Sequence, residues 1–294
     1  MSSEYKPRVI SGSERAVLGE GPVWDDRTQT LYWVDIELGL LHSCNADGSA
    51  ARSVFVGERV GCIALRESQP GFIAGLQHGV AVLNPTPLDI RTVARPESGL
   101  PRNRCNDGKC DPKGRFWVGT YNMDGTDATG WLYRVEANCA IERVAGPFIC
   151  MNGPAFSPDG QIIYYVDSYG RSVHRATVDA TGQLSTPRVF TTFADRSWGY
   201  PDGLTCDAAG CVWIAHWGGS RVSRFGPDGS LLDVIPLPVR QPTSCAFGGQ
   251  DLRTLFVTSA AMGLNDEQNA NGLAGALFAI DVGVAGLKSG RFAG

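Results

Sequence analysis

Four oxygen-bearing side chains recur at one place in a series of strand-like segments. They are Glu20 in "LGEGPVW", Asn106 in "RCNDGKC", Asn152 in "CMNGPAF" and Asp202 in "YPDGLTC". Each stands four residues ahead of the last apolar residue before a turn, and the same offset in two further segments falls on Gly61 and Thr243. Two carboxylates and two amides, without sulfur or a nearby histidine, form a donor set for one hard divalent cation completed by water or substrate. Carboxylates gathered at one point repel unless something positive occupies the centre. The plainer reading is a polar plug held by hydrogen bonds and water. Asp-Gly and Asn-Gly are also ordinary turn dipeptides. Glu20 has no such turn role, and the hairpin "DG" pairs at 47–48, 159–160 and 228–229 fall between strands, where turn chemistry belongs.

The elements that would position these residues emerge when the segments are stacked. "GPVWDDRTQTLYWVDI" (21–36) resembles "GPAFSPDGQIIYYVDS" (153–168), and "DGKCDPKGRFWVGT" (107–120) resembles "DGLTCDAAGCVWIAH" (202–216). The register residues Trp24, Leu65, Cys110, Phe156, Cys206 and Phe247 are separated by 41, 45, 46, 50 and 41 residues. That is the period of a four-stranded propeller blade. The pattern predicts an all-β, six-bladed propeller as a single domain over residues 1–294; a seven-bladed form with a degenerate unit and a β-sandwich are the rivals. The sixth unit is short by one strand, so "RVISGSE" (8–14) is expected to pair there and close the ring. The innermost strand of each blade runs along the central channel, so equivalent starting positions form a ring at its mouth. Glu20, Asn106, Asn152 and Asp202 therefore converge from four blades.

Composition narrows the function classes. The 294 residues are 43% apolar and 19% charged with 37 glycines, which suits many short strands and tight turns. A formal charge of −4 with both signs scattered leaves no basic stripe for nucleic acid. The N-terminus lacks the apolar core of a signal peptide and no run approaches about 18 apolar residues, so a soluble, cytoplasmic protein with no membrane partner is expected. Nine cysteines without a Cys-x-x-Cys pair read as reduced and structural. There is no Gly-x-Ser-x-Gly elbow, phosphate loop or His-Glu-x-x-His. The four histidines are spread out, and His216, ending the strand beyond Asp202, is expected at the opposite rim in a structural role. Arg104 lies two residues before Asn106, hence on the same side of an extended segment, where it could neutralise the centre or donate to a polyhydroxylated ligand. In the loop 119–130, alternation does not decide whether Tyr121 or Asp124 returns to the mouth.

With these segments in place, residues 14–290 resemble the senescence-marker-30/gluconolactonase/luciferin-regenerating family of six-bladed propeller hydrolases. The resemblance rests on "LGEGPVWDDRTQTLYWVDI", "RNRCNDGKCDPKGRFWVGT", "MNGPAFSPDGQIIYYVDS" and "YPDGLTCDAAGCVWIAHW". It implies a divalent cation (calcium, zinc, manganese or iron) on Glu20, Asn152 and Asp202, and a sugar lactone contacted by Arg104 and Asn106. The family's further glutamate contact aligns with Asp124, one methylene shorter. The implied reaction is metal-dependent hydrolysis of a sugar-acid lactone, such as a glucono-, arabinono- or xylonolactone, to the aldonic acid. Asp202 would be both ligand and catalytic base. A metal-dependent phosphotriesterase would use the same ligands, and a non-catalytic binding propeller would leave the axial carboxylates idle.

Overall fold

The computed structural model describes residues 5–10, 12 and 14–294. Its strands form six four-stranded antiparallel sheets, five of them in simple sequence order. The inner strands of blades 1 to 6 are Gly19–Asp25, Val60–Leu65, Asn103–Cys110, Met151–Phe156, Tyr200–Cys206 and Pro242–Gly248. The six register residues pair equivalently with the next strand: Trp24 with Leu31, Leu65 with Phe72, Cys110 with Phe116, Phe156 with Ile163, Cys206 with Val212 and Phe247 with Leu255.

Both faces of the inner strands are covered, because each blade packs on two neighbours. Apolar side chains consequently collect in six interblade clusters. Trp117 of blade 3 meets Phe156 of blade 4, and Trp24 of blade 1 meets Phe256 of blade 6. The outermost strands, such as Arg52–Phe55, are largely exposed, which accounts for their weak sequence signal. At the far ends of the inner strands, two aspartates organise the turns. Asp111 accepts from Trp117 Nε1 at 2.9 Å and from Arg115 at 2.6 Å; Asp207 accepts from Trp213 Nε1 at 3.0 Å and from Arg224 at 2.9 Å. These hubs give the repeated Asp-to-Trp spacing of blades 3 and 5 its physical meaning.

Blade 6 is completed from the N-terminus as the short sixth unit requires. Arg8–Val9 pairs antiparallel with Phe278–Asp281, placing Arg8 opposite Ala279 and Val9 opposite Phe278. The closing strand is shorter than the 8–14 expected: Gly12 and Glu14 lie outside any strand, and Ser11 and Ser13 are outside the described residues. Thr243 Oγ1 donates to Gly19 O at 2.5 Å, tying the inner strands of blades 6 and 1.

One expectation is corrected here. His216 pairs in register with Pro201, beside Asp202, and not at the opposite rim. An antiparallel hairpin returns the end of its second strand to the start of its first. His216 is buried, its Nδ1 bonds Trp198 O at 2.9 Å, and it stacks on Phe193. All nine cysteines are free. No helix among the described residues is long and apolar enough to cross a membrane.

Candidate active site

Every inner strand breaks register near its start. The irregularities fall between Glu20 and Val23, Val60 and Cys62, Cys105 and Gly108, Asn152 and Ala155, Pro201 and Leu204, and Pro242 and Ser244. A bulge re-aims a side chain out of the pleat. Six bulges at one level set the ring positions at the channel mouth. Blade 2 contributes Gly61, where a Cβ would stand 2.4 Å from Cys105 O, so the close approach of blade 3 admits no side chain. Blade 6 contributes Thr243, whose hydroxyl is occupied by Gly19 O and Thr258 Oγ1. The remaining four blades supply Glu20, Asn106, Asn152 and Asp202, all buried and all on the wall of one cavity of about 270 Å³.

A continuous hydrogen-bond chain holds the amides. Arg104 Nη1 donates to Asn106 Oδ1 at 2.7 Å, and Asn106 Nδ2 donates to Asn152 Oδ1 at 2.7 Å. Asn152 Nδ2 donates to Ser168 Oγ at 2.9 Å, and Ser168 donates to Pro201 O at 2.8 Å. Asn152 Oδ1 thus keeps a second lone pair for another partner. The carboxylates are far less satisfied. Glu20 accepts from the Gly21 amide at 3.1 Å, and no ion pair engages Glu20 or Asp202 among the described residues. Burial, then the Asp107 charge, pushes the Glu20 carboxyl up to about 8. Burial, then Glu20 and Asp107, pushes Asp202 well above the carboxylate range. Two buried carboxylates that repel each other and lack a bonded cation are a poor plug, because desolvation remains uncompensated.

The donor set fits a hard divalent ion. Among the described residues no group of three or more His, Cys, Asp or Glu forms a metal cluster. The centre here has two carboxylates, and its remaining oxygens come from amides. Such a set suits oxygen-seeking cations.

A second tier lies two residues upstream of each of these four side chains, on the same side of the extended chain. Leu18, Arg104, Cys150 and Tyr200 stand above Glu20, Asn106, Asn152 and Asp202, and all line the cavity. Arg104 is 4% exposed; it also bonds Cys105 O at 2.9 Å and lies over the Tyr121 ring at 5.1 Å, while its Nε has no partner. Burial raises the Cys150 thiol, which makes it a poor nucleophile despite its position. Tyr121 and Trp217 join the wall from the second strands of blades 3 and 5, and Tyr169 and Met262 from connecting segments. Tyr121 therefore resolves the open alternative in the loop 119–130. Asp124 is instead ion-paired with Arg102 through an exposed contact, and is not among the cavity-lining side chains.

Fold and site together define a six-bladed propeller with an oxygen-rich, cation-suited centre at one mouth of its channel. The chain belongs to the SMP-30/gluconolactonase/LRE-like family, whose model matches residues 18–261. It is 41% identical over 280 residues to 6-deoxy-6-sulfogluconolactonase of Pseudomonas putida, covering 95% of this chain and 96% of that protein. It is 38% identical over 291 residues to L-arabinolactonase of Azospirillum brasilense, covering 97% and 95%. Among solved structures, a luciferin-regenerating enzyme superposes with TM-score 0.92 at 32% identity over 98% of this chain and 99% of that one. The calcium-binding regucalcin of Agrobacterium tumefaciens superposes with TM-score 0.90 at 29% identity, over 98% and 97%.

Proposed function

We propose that the protein hydrolyses a sugar-acid lactone to its aldonic acid, with one divalent cation held by Glu20, Asn152 and Asp202. The observation that carries this reading is the pair of buried, unpaired carboxylates converging with amide oxygens on a sugar-sized cavity. The sugar-lactonase relatives named above support the substrate class. The bound cation would supply polarisation of the lactone carbonyl and acidification of the attacking water.

The chain's own residues do the rest. Asp202, whose ionised form the bound cation would favour against burial and the Glu20 and Asp107 charges, accepts the proton of the water on a carboxylate oxygen as the C–O bond to the carbonyl forms. The same proton then passes to the ring oxygen as the lactone C–O bond breaks, leaving a hydroxyl and a carboxylic acid. Arg104, with its unpartnered Nε, and Asn106 orient the substrate oxygens. Tyr200, Tyr169 and Trp217 offer flat faces to the carbon skeleton. No covalent nucleophile is required. Asp124 is a substrate contact in this reading only when it releases Arg102.

The test is a panel of glucono-, arabinono- and xylonolactone hydrolysed by chelator-treated protein with Ca²⁺, Mn²⁺, Fe²⁺ or Zn²⁺ restored singly. Saturable turnover above the spontaneous rate with at least one pair is expected. Spontaneous rates throughout would reject the reading. The apolar wall of Leu18, Ile36 and Met262 favours phosphotriester hydrolysis as a second reaction of the same centre. A phosphotriester in the same panel separates the two.

A further inference from the structure

The channel has a second end, and it is not empty of chemistry. From the inner strand of blade 3, Lys109 reaches across to blade 5, where Nζ donates to Leu204 O at 2.7 Å. Its side chain forms part of the wall of a distal cavity of about 670 Å³. The C-terminal segment straps this opening. It bridges blade 5 at Asp207–Gly286 and blade 2 at Arg66–Phe292, and Ala293 N donates to Gly114 O at 3.0 Å in blade 3. Gly290 passes so close to Cys110 that a Cβ would stand 2.2 Å from its carbonyl oxygen.

The charge on this wall is unbalanced. Its three carboxylates are already engaged: Asp26 by Lys288 at 2.7 Å and Arg291 at 2.9 Å, Glu67 by Arg27 at 2.6 Å, and Asp111 by Arg115 at 2.6 Å. Lys109 and Lys113 have no ion pair among the described residues, although the Lys109 charge acts through space on the buried carboxylates of Asp107 and Glu20; Lys113 Nζ donates only to Ala180 O at 3.3 Å. An ammonium carries three donors, and Lys109 uses one of them on Leu204. Between the charged groups the wall carries Phe156 and Phe247, near the ends of their strands, among Ser157, Thr205 and Ser289.

We propose that the distal cavity is a binding site for a small oxyanion, whose carboxylate or phosphate group is held by the Lys109 ammonium and whose carbon skeleton, where present, rests on Phe156 and Phe247. The site lies at the opposite end of the channel from the lactone centre, although the Lys109 charge still reaches Glu20.

Isothermal titration with inorganic phosphate and with gluconate tests this and separates the two sources of the charged group. At least one of them is expected to bind saturably. Lys109→Gln can still donate to Leu204 O but loses the charge, and should weaken binding by about tenfold or more, the scale of a hydrogen bond to a charged group. Asn152→Ala alters the opposite mouth and should leave the affinity within about twofold, as expected for distant sites. The proposal fails if neither anion saturates, if Lys109→Gln binds as tightly as the wild type, or if Asn152→Ala abolishes binding. Crystals of the unmodified protein soaked in arsenate give a second readout independent of any variant. An anomalous peak at Lys109 supports the site, and peaks confined to other positions overturn it.

Discussion

Replacing Arg104 with methionine separates a substrate-orienting arginine from a structural one. The guanidinium is 4% exposed, anchors Asn106 Oδ1 at 2.7 Å and has an unpartnered Nε on the cavity wall. A hydrogen bond from a charged donor is worth roughly 1.5–3 kcal/mol. At about 1.4 kcal/mol per decade, its loss predicts a fall of about 10- to 100-fold in kcat/KM on gluconolactone. Release of Asn106 pushes the effect toward the upper end. The Arg104 guanidinium repels a divalent cation but also favours the ionised forms of Glu20 and Asp202, so the two effects of its removal on cation affinity oppose each other and metal content is measured directly. A loss of turnover in samples that carry full metal is then not metal depletion. δ-Valerolactone carries no hydroxyls for Arg104 to hold and should lose less than about threefold, being hydrolysed without that contact. Arg104→Lys keeps the charge without the planar fork and should recover only part of the activity. The assay follows acid release with a pH indicator, with metal content measured on the same samples. Equal losses on both lactones, or a loss below about threefold on gluconolactone, would refute substrate orientation.

Four further outcomes are expected. Gly61→Ala forces a Cβ against blade 3 and should cost about 1–3 kcal/mol in urea unfolding, as overpacking does. Asp207→Ala strips a fully buried hub from Trp213 and Arg224 and should cost about 3 kcal/mol or more by the same measurement. Removing residues 1–10 unpairs the Phe278–Asp281 strand, so the truncated protein should melt lower and aggregate on light scattering, because blade 6 then ends on an open edge. Asp124→Ala breaks only an exposed ion pair and should change kcat/KM by less than about threefold in the lactone assay.

The sequence made the ring positions readable because a fixed offset along equivalent strands survives folding. Glu20, Asn106, Asn152 and Asp202 share a cavity on that ground alone. The bulges that aim them leave a mark in Gly21, Gly108, Gly153 and Gly203, of which Gly21 and Gly153 take positive φ, but in sequence an Asp-Gly or Asn-Gly pair reads equally as a turn. The second tier of Leu18, Cys150 and Tyr200 follows from the same alternation that places Arg104. His216 stands at the mouth because its hairpin folds back on Pro201, which a single strand followed outward does not reveal. Tyr169 and Met262 reach the cavity from connections, where no register extends, and Trp217 from the returning strand opposite Tyr200. The pairing of Asp124 with Arg102 likewise depends on how two mouth segments meet.

The proposed function makes Asp202 ligand and base together. Asp202→Asn can still offer one oxygen to the cation but cannot accept a proton from water. Its turnover of the preferred lactone, corrected for spontaneous opening and measured beside its metal content, is the direct test. The account predicts partial metal occupancy with a loss on the order of 10²-fold or more in kcat, and loss of both in Asp202→Ala. An Asp202→Asn protein carrying full metal and turning over near the wild-type rate would contradict it.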